Sequence, residues 1–295
     1  MNPRGFTLIE LLVVISIVAV LLGLLLPALG RAKGVARVAE QLSSARQLMQ
    51  GYLMYAQEHQ GYVLPARVLP GVGPKPIHEP VVDSAGRTVT GQPSIRYLWR
   101  LAPYLDYNMD VFYRDDQLLD KLLASSTHLT NADDDTSQAY LDYYALTVRT
   151  GFGLNYFFVG GRPEYYPQPG AGPTNYQRFF QKDFWISQLS QAEHPSKLFT
   201  FVSSAQIDTN VFYDGYFQVD APYFTNQKWQ SLGLPSQPDA KPEMFGHVWT
   251  VDGVHTVAGL LDGHASSFNW DETKDMRHWA PKANRPDWRL ELQLP

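Results

Sequence analysis

The 295-residue chain contains no cysteine, which excludes disulfide frameworks, thiolate metal sites and cysteine nucleophiles. Charge is sparse as well: Asp, Glu, Lys and Arg make up 18% of residues, and the formal net charge is -5. No block of Lys and Arg is dense enough to track a phosphate backbone, so nucleic acid is not expected as a partner. An HExxH pair, a nucleophile elbow and a phosphate-binding loop are all missing, and with them the common signatures of zinc hydrolases, serine acyl-transfer enzymes and nucleotidases. What is plentiful is apolar: 44% hydrophobic and 13% aromatic, interrupted by 22 Gly and 21 Pro. That mixture supports a packed core and favours a turn-rich, strand-containing fold over a helical bundle.

The most informative stretch is the first. Residues 6–29 are apolar apart from Thr7, Glu10, Ser16 and Gly23. About 20 such residues in a helix cross the roughly 30 Å of a bilayer's hydrocarbon. Three readings fit a segment of this kind. A secretory signal peptide would use Arg4 as its basic end and Ala28 and Gly30, flanking Leu29, as its cleavage site. Its apolar core, however, is normally about 7–15 residues and carries no acid. A plain anchor and a prepilin are the other two. Glu10 discriminates, because a carboxylate at the centre of a lipid-facing helix costs about 2.5–3.5 kcal/mol and calls for a counter-charge. No basic residue of the same helix lies within a turn or two of it on the membrane side.

Gly5-Phe6-Thr7-Leu8-Ile9-Glu10 followed by an apolar helix resembles the N-terminus of type IV prepilins and type II secretion pseudopilins. The resemblance implies a leader of residues 1–5, cleavage after Gly5 by a membrane prepilin peptidase, and N-methylation of Phe6. It puts the family's glutamate on Glu10 and its helix-bending proline on Pro27. The new α-amino group of Phe6 would then pair with Glu10 of the next subunit, neutralising both within an apolar bundle. It also implies an inner-membrane location, with the N-terminus cytoplasmic and the head periplasmic or extracellular. The expected partners are the peptidase, other pilin or pseudopilin subunits, and membrane lipid. A naive charge count favours the opposite orientation, since Arg31, Lys33 and Arg37 outnumber Arg4. The cytoplasmic N-terminus therefore rests on the need to meet the peptidase.

Beyond Gly30 the pattern turns amphipathic. Val35, Val38, Leu42, Ala45, Met49, Tyr52 and Ala56 recur at spacings of three and four, predicting one continuous helix to about His59. The expected organisation is a leader (1–5), a transmembrane and polymerisation helix (6–30), its amphipathic continuation (31–60) and a β-rich head (61–295). The fold class is α+β, a long helix docked by its upper half on an antiparallel sheet. Within the head, a hairpin is expected around Asp83 to Gly86, a helix over 95–105 capped by Ser94, and a second helix over 184–193. A strand and an aromatic loop are expected within 151–180, and a buried strand over 197–202. A terminal hairpin is expected to turn at Asp262-Gly263-His264.

That ending resembles a large bacterial group of pseudopilin-like proteins in which a histidine precedes an Asp-Gly pair with nine residues between them. Asp262 and Gly263 match the pair, but Asp252 occupies the histidine position, with His255 three residues on. Two weaker chemical readings remain. Asp133, Asp134 and Asp135 form an acidic loop with the ligand type calcium takes, although the spacing of an EF-hand and its terminal Glu are missing. The rival function class, a membrane-tethered metalloenzyme, would draw on His247, Asp252, His255, Asp262, His264 and His278. The expectation is a structural subunit with no catalytic residue and no required cofactor.

Overall fold

The computed structural model describes residues 8–73, 80–114, 119–120, 138–167, 172–180, 184–235, 237 and 239–291. Helix α1 spans Leu8–Glu58, 51 residues, and continues through Pro27. At 1.5 Å per residue it is about 77 Å long. Ser16, a polar residue in its apolar half, turns its hydroxyl back onto the Leu12 carbonyl at 2.7 Å, so the side chain is satisfied without water.

The upper part of α1 lies on a five-stranded sheet in the order β7-β3-β4-β8-β9. The strands are β3 (Phe152–Asn155), β4 (Phe199–Ser203), β7 (Gln218–Val219), β8 (His255–Leu260) and β9 (Ala265–Asn269). All pairings are antiparallel except β3 with β7, an edge strand that returns parallel. Every residue of β3 and β4 is buried, as befits central strands covered on both faces. Two short hairpins flank the sheet, β1 (Val81–Val82) with β2 (Thr88–Val89) and β5 (Gln206–Asp208) with β6 (Val211–Tyr213). The architecture is α+β, with one long helix on a mainly antiparallel sheet.

The buried face of α1 comprises Gln41, Ala45, Leu48, Met49, Gly51, Tyr52, Tyr55 and Ala56. The apolar stripe read from the sequence starts too early: Val35 is 71% exposed, and Val38 and Leu42 are only partly covered. The reason is length, since six residues of β8 extend about 20 Å, which matches only about 13 residues of helix. Contact with β8 is close because of Gly259, where a Cβ would stand 2.6 Å from Met49 Cγ and 3.4 Å from the Ala45 carbonyl. Met49 is fully buried and cannot swing away. Gly259→Val is expected to destabilise the head by about 1–3 kcal/mol through this overlap, read as a lower urea midpoint with unchanged slope.

The β8–β9 hairpin turns at Asp262-Gly263, with Gly263 at φ +97° and its N–H donating to the Leu260 carbonyl at 2.9 Å. The β1–β2 hairpin is organised by Asp83. Its Oδ1 accepts the Ala85 and Arg87 amides, each at 2.9 Å, and its Oδ2 accepts Arg87 Nε at 2.7 Å and the Tyr143 hydroxyl. Burial pushes this carboxyl up, but the hydrogen bonds from Tyr143 and Arg87 outweigh it and hold Asp83 below its ordinary range. Tyr143 sits on the helix Gln138–Val148, so one carboxylate ties that helix to the hairpin.

Two sequence expectations are corrected. Ser94 does not cap a helix over 95–105: it ends the short helix α2 (Gly91–Ser94), its hydroxyl bonded to the Gly91 carbonyl at 2.8 Å. Arg96 is then drawn into a bridge with Arg67, so the next helix, α3, starts at Leu98 and continues as a 3-10 turn over Ala102–Leu105. Residues 184–193 form only a 3-10 turn at Leu189–Gln191, because Ile186 pairs with Val159 and Gln188 with Tyr62 in extended bridges. Further helices are α4 (Gln138–Val148), α5 (Asn175–Phe179) with a Thr174–Gln177 capping box, and α6 (Trp270–Thr273). The aromatic loop packs on itself, with Tyr165 against Phe184, Trp185 and Tyr176 at ring separations of 5.0, 5.0 and 4.8 Å.

Asp220 is held at a cost. Its Oδ1 is shut away from solvent without a hydrogen-bond partner, and burial pushes the carboxyl up to about 6, with Arg162 and Lys228 only partly offsetting this. A carboxyl raised on folding contributes stability that is present below its unfolded value and is lost as pH rises through the folded one. Asp220→Asn removes this dependence. Its stability relative to wild type should rise by about 1–2 kcal/mol between about pH 5 and about pH 7.5, measured by urea unfolding at both.

Candidate functional site

Below the head, α1 is bare. Sixteen large apolar side chains from Leu8 to Leu29 are exposed, and none of its most apolar window is covered by the rest of the chain. At about 1.5–3 kcal/mol for each side chain removed from water, covering them releases on the order of 30 kcal/mol. That exceeds the marginal stability of a typical domain, about 5–15 kcal/mol, so this surface governs where the molecule resides. Leu8 to Arg31 spans 23 helical steps, about 35 Å, which matches one bilayer crossing. Arg31, Lys33 and Arg37 are exposed just beyond it, where cationic heads meet the polar boundary.

Glu10 lies in the first turn of α1 and is exposed among Ile9, Leu11, Val13 and Val14. An acid here is favoured by the positive end of the helix dipole. Its cost in hydrocarbon, about 2.5–3.5 kcal/mol, is an order of magnitude below the gain from the apolar side chains, so it does not prevent insertion. What it can do is fix depth and register toward a cation. Gly5 and Phe6 lie outside the described residues, as do Asp133, Asp134 and Asp135, so the calcium reading of that loop does too. Gly34 marks where the head begins to touch the helix: a Cβ there would lie 3.6 Å from Asp252 Cβ.

The His and Asp residues of the last fifty positions do not form one centre. His247 is half-buried, its Nδ1 3.2 Å from the Ala205 carbonyl and its ring stacked 3.9 Å from Tyr216; burial pushes its pKa down. Asp252 Oδ1 caps the entry to β8 by accepting the Val254 and His255 amides, and its Oδ2 stands 2.8 Å from His255 Nδ1. Burial raises this carboxyl, but the bonds from His255 and the Val254 amide dominate and hold it low. Asp262 pairs with His264 at 2.8 Å in the hairpin turn. His278 stacks on Phe199 and faces the Lys197 carbonyl at 3.0 Å. Among the described residues no three His, Asp or Glu side chains converge on a metal-sized point. The metal reading of 247–278, Asp262 included, is therefore replaced by separate turn, cap and stacking roles.

One site has no counterpart in the sequence reading. A cavity of about 670 Å³ between α4, β5 and β7 is lined by Arg67, Arg96 and Arg149. The three are far apart in sequence, and only the Arg67–Arg96 bridge sets two of them side by side.

Residues 1–26 match the family model for the prokaryotic N-terminal methylation motif. No curated protein and no solved structure matches the chain. The motif implies processing by a peptidase and assembly with other pilin subunits. This motif, one long apolar helix at the N-terminus and an α+β head are the features of a type IV prepilin-like protein, and they support a subunit of the pilin or pseudopilin type with one helix long and apolar enough to cross a membrane.

Proposed function

We propose that the chain is a structural, non-enzymatic subunit, cut after Gly5, methylated on Phe6, and polymerised into a type IV pilus or a type II secretion pseudopilus. Before assembly it resides in the inner membrane, N-terminus in the cytoplasm and head outside. The observation that carries this reading is the bare apolar half of α1 below a head that is packed in its own right. Such a surface has two stable homes, a bilayer or the centre of a bundle of identical helices. A head-to-tail contact that does not close gives a filament. Glu10 supports the second home, because pairing with the Phe6 amine of a neighbouring subunit fixes the step between subunits while neutralising both charges.

Sedimentation of a mechanically sheared surface fraction from cells making the tagged full-length chain tests this. The tag is expected in the high-speed pellet with other pilin-type subunits. A tag confined to the membrane fraction under conditions where those subunits pellet would contradict it.

A further inference from the structure

We propose that the cavity between α4, β5 and β7 binds a small oxyanion-bearing ligand, a carboxylate or a phosphate, through Arg67, Arg96 and Arg149. The inference is independent of how the subunit assembles. Its first support is register. Arg67 and Arg96 pair directly across an antiparallel bridge, which puts both side chains on one face. Like charges directly opposite each other are destabilising, so the arrangement calls for an anion between or beside them.

The second support is the burial of one of the pair. Arg96 is only 5% exposed. Its guanidinium lies 4.4 Å from the Tyr144 ring centre and 4.9 Å from that of Phe217, and its Nη1 donates to the Gln92 carbonyl at 3.1 Å and to Thr147 Oγ1 at 2.9 Å. Its Nε is buried with no partner. Burial pulls this group below its ordinary range; the Tyr144 and Tyr216 hydroxyls offset part of that, and the charge of Arg67 adds to it. Aromatic faces and two hydrogen bonds compensate a buried cation only in part, and no carboxylate among the described residues pairs with Arg67 or Arg96.

The third support is the balance of the wall. Asp208 is the one acid among the described lining residues, and it is engaged with Arg149 at 3.5 Å, where the Arg149 guanidinium also covers the Tyr213 ring at 3.6 Å. Among the described residues the wall thus carries three cations against one anion. Guanidinium forks match the planar oxygens of carboxylates and the face of a phosphate. Gln92, Gln206 and Gln218 add neutral hydrogen-bonding groups, and the volume falls within the range of about 300–1,000 Å³ typical of small-molecule sites.

The test uses the full-length protein in detergent, titrated calorimetrically with inorganic phosphate, with D-glucuronate and with neutral D-glucose. Binding of phosphate, glucuronate or both, and not of glucose, is expected; the tighter of the two identifies whether phosphate or carboxylate is the preferred source of the oxyanion. Arg67→Gln, at a partly exposed position, is expected to weaken that binding by about 10-fold or more, while the apo protein melts no lower because the like-charge pair is gone. Arg149→Gln should weaken it as well. Absence of binding by both anions at millimolar concentration overturns the proposal, and so does unchanged affinity in a folded Arg67→Gln variant.

Discussion

Glu10→Val inserts into the membrane at wild-type levels and is absent from the sheared filament fraction. Removing the carboxylate makes insertion cheaper by at most about 2.5–3.5 kcal/mol, the value for mid-bilayer, because the acid is the one ionisable side chain in the apolar half of α1 and sits in its first turn. Assembly moves the other way. In a bundle of apolar helices the Phe6 amine keeps its charge, and stripping such a cation of its partner costs about 3–5 kcal/mol, two to four orders of magnitude in each association step. The two effects separate by fractionation: immunoblots should show an undiminished membrane band and a sheared band reduced by at least about 100-fold. Equal amounts of wild type and variant in the sheared fraction would show that the carboxylate plays no part in assembly. A variant lost from the membrane as well would point to misfolding, and the unfolding midpoint of the head distinguishes that case.

The second large effect is expected one step earlier. Gly5→Leu is expected to leave the leader attached: the motif implies processing by a peptidase, and in the cleavage proposed after Gly5 a branched side chain replaces the residue that lets the enzyme approach the backbone most closely. The variant should retain residues 1–5 in cells where the wild type loses them, read directly by intact mass. With the leader in place the Phe6 nitrogen stays in a peptide bond and offers no cation at the depth of a neighbour's Glu10. Gly5→Leu should therefore fail to assemble to the same degree as Glu10→Val. The double variant should be no worse than either alone, as for two groups that act as a unit. Complete cleavage of Gly5→Leu, or a double variant far worse than both singles, would break the link between processing and pairing.

The parts of this molecule that depend on local chemistry are written in the sequence. The apolar run over 6–29 and the spacing of three and four beyond it announce α1, and Asp262-Gly263 between β-rich runs announces the terminal hairpin, as Asp83 to Gly86 does the earlier one. Tertiary pairing defeats the rest. Residues 184–193 have a helical pattern, but Ile186 and Gln188 are taken by extended bridges to Val159 and Tyr62. Ser94 is a good cap by type, yet its hydroxyl is used by the preceding turn. The upper limit of the bare helix is set by the length of β8, which no periodicity in α1 encodes, so Val35 reads as core and is exposed. The arginine cavity is the extreme case. Arg67 lies in a Pro- and Gly-rich stretch, Arg96 between two short helices and Arg149 just after α4, and nothing local to any of them marks a shared site.

The most direct measurement is the intact mass and N-terminal sequence of the wild-type polypeptide extracted from native membranes. Removal of residues 1–5 and a methyl group on the α-nitrogen of Phe6 is the result predicted here. A chain that still begins at Met1, or one that begins at Arg31, would contradict it: the first leaves no cation at the depth of Glu10, and the second removes the apolar helix altogether.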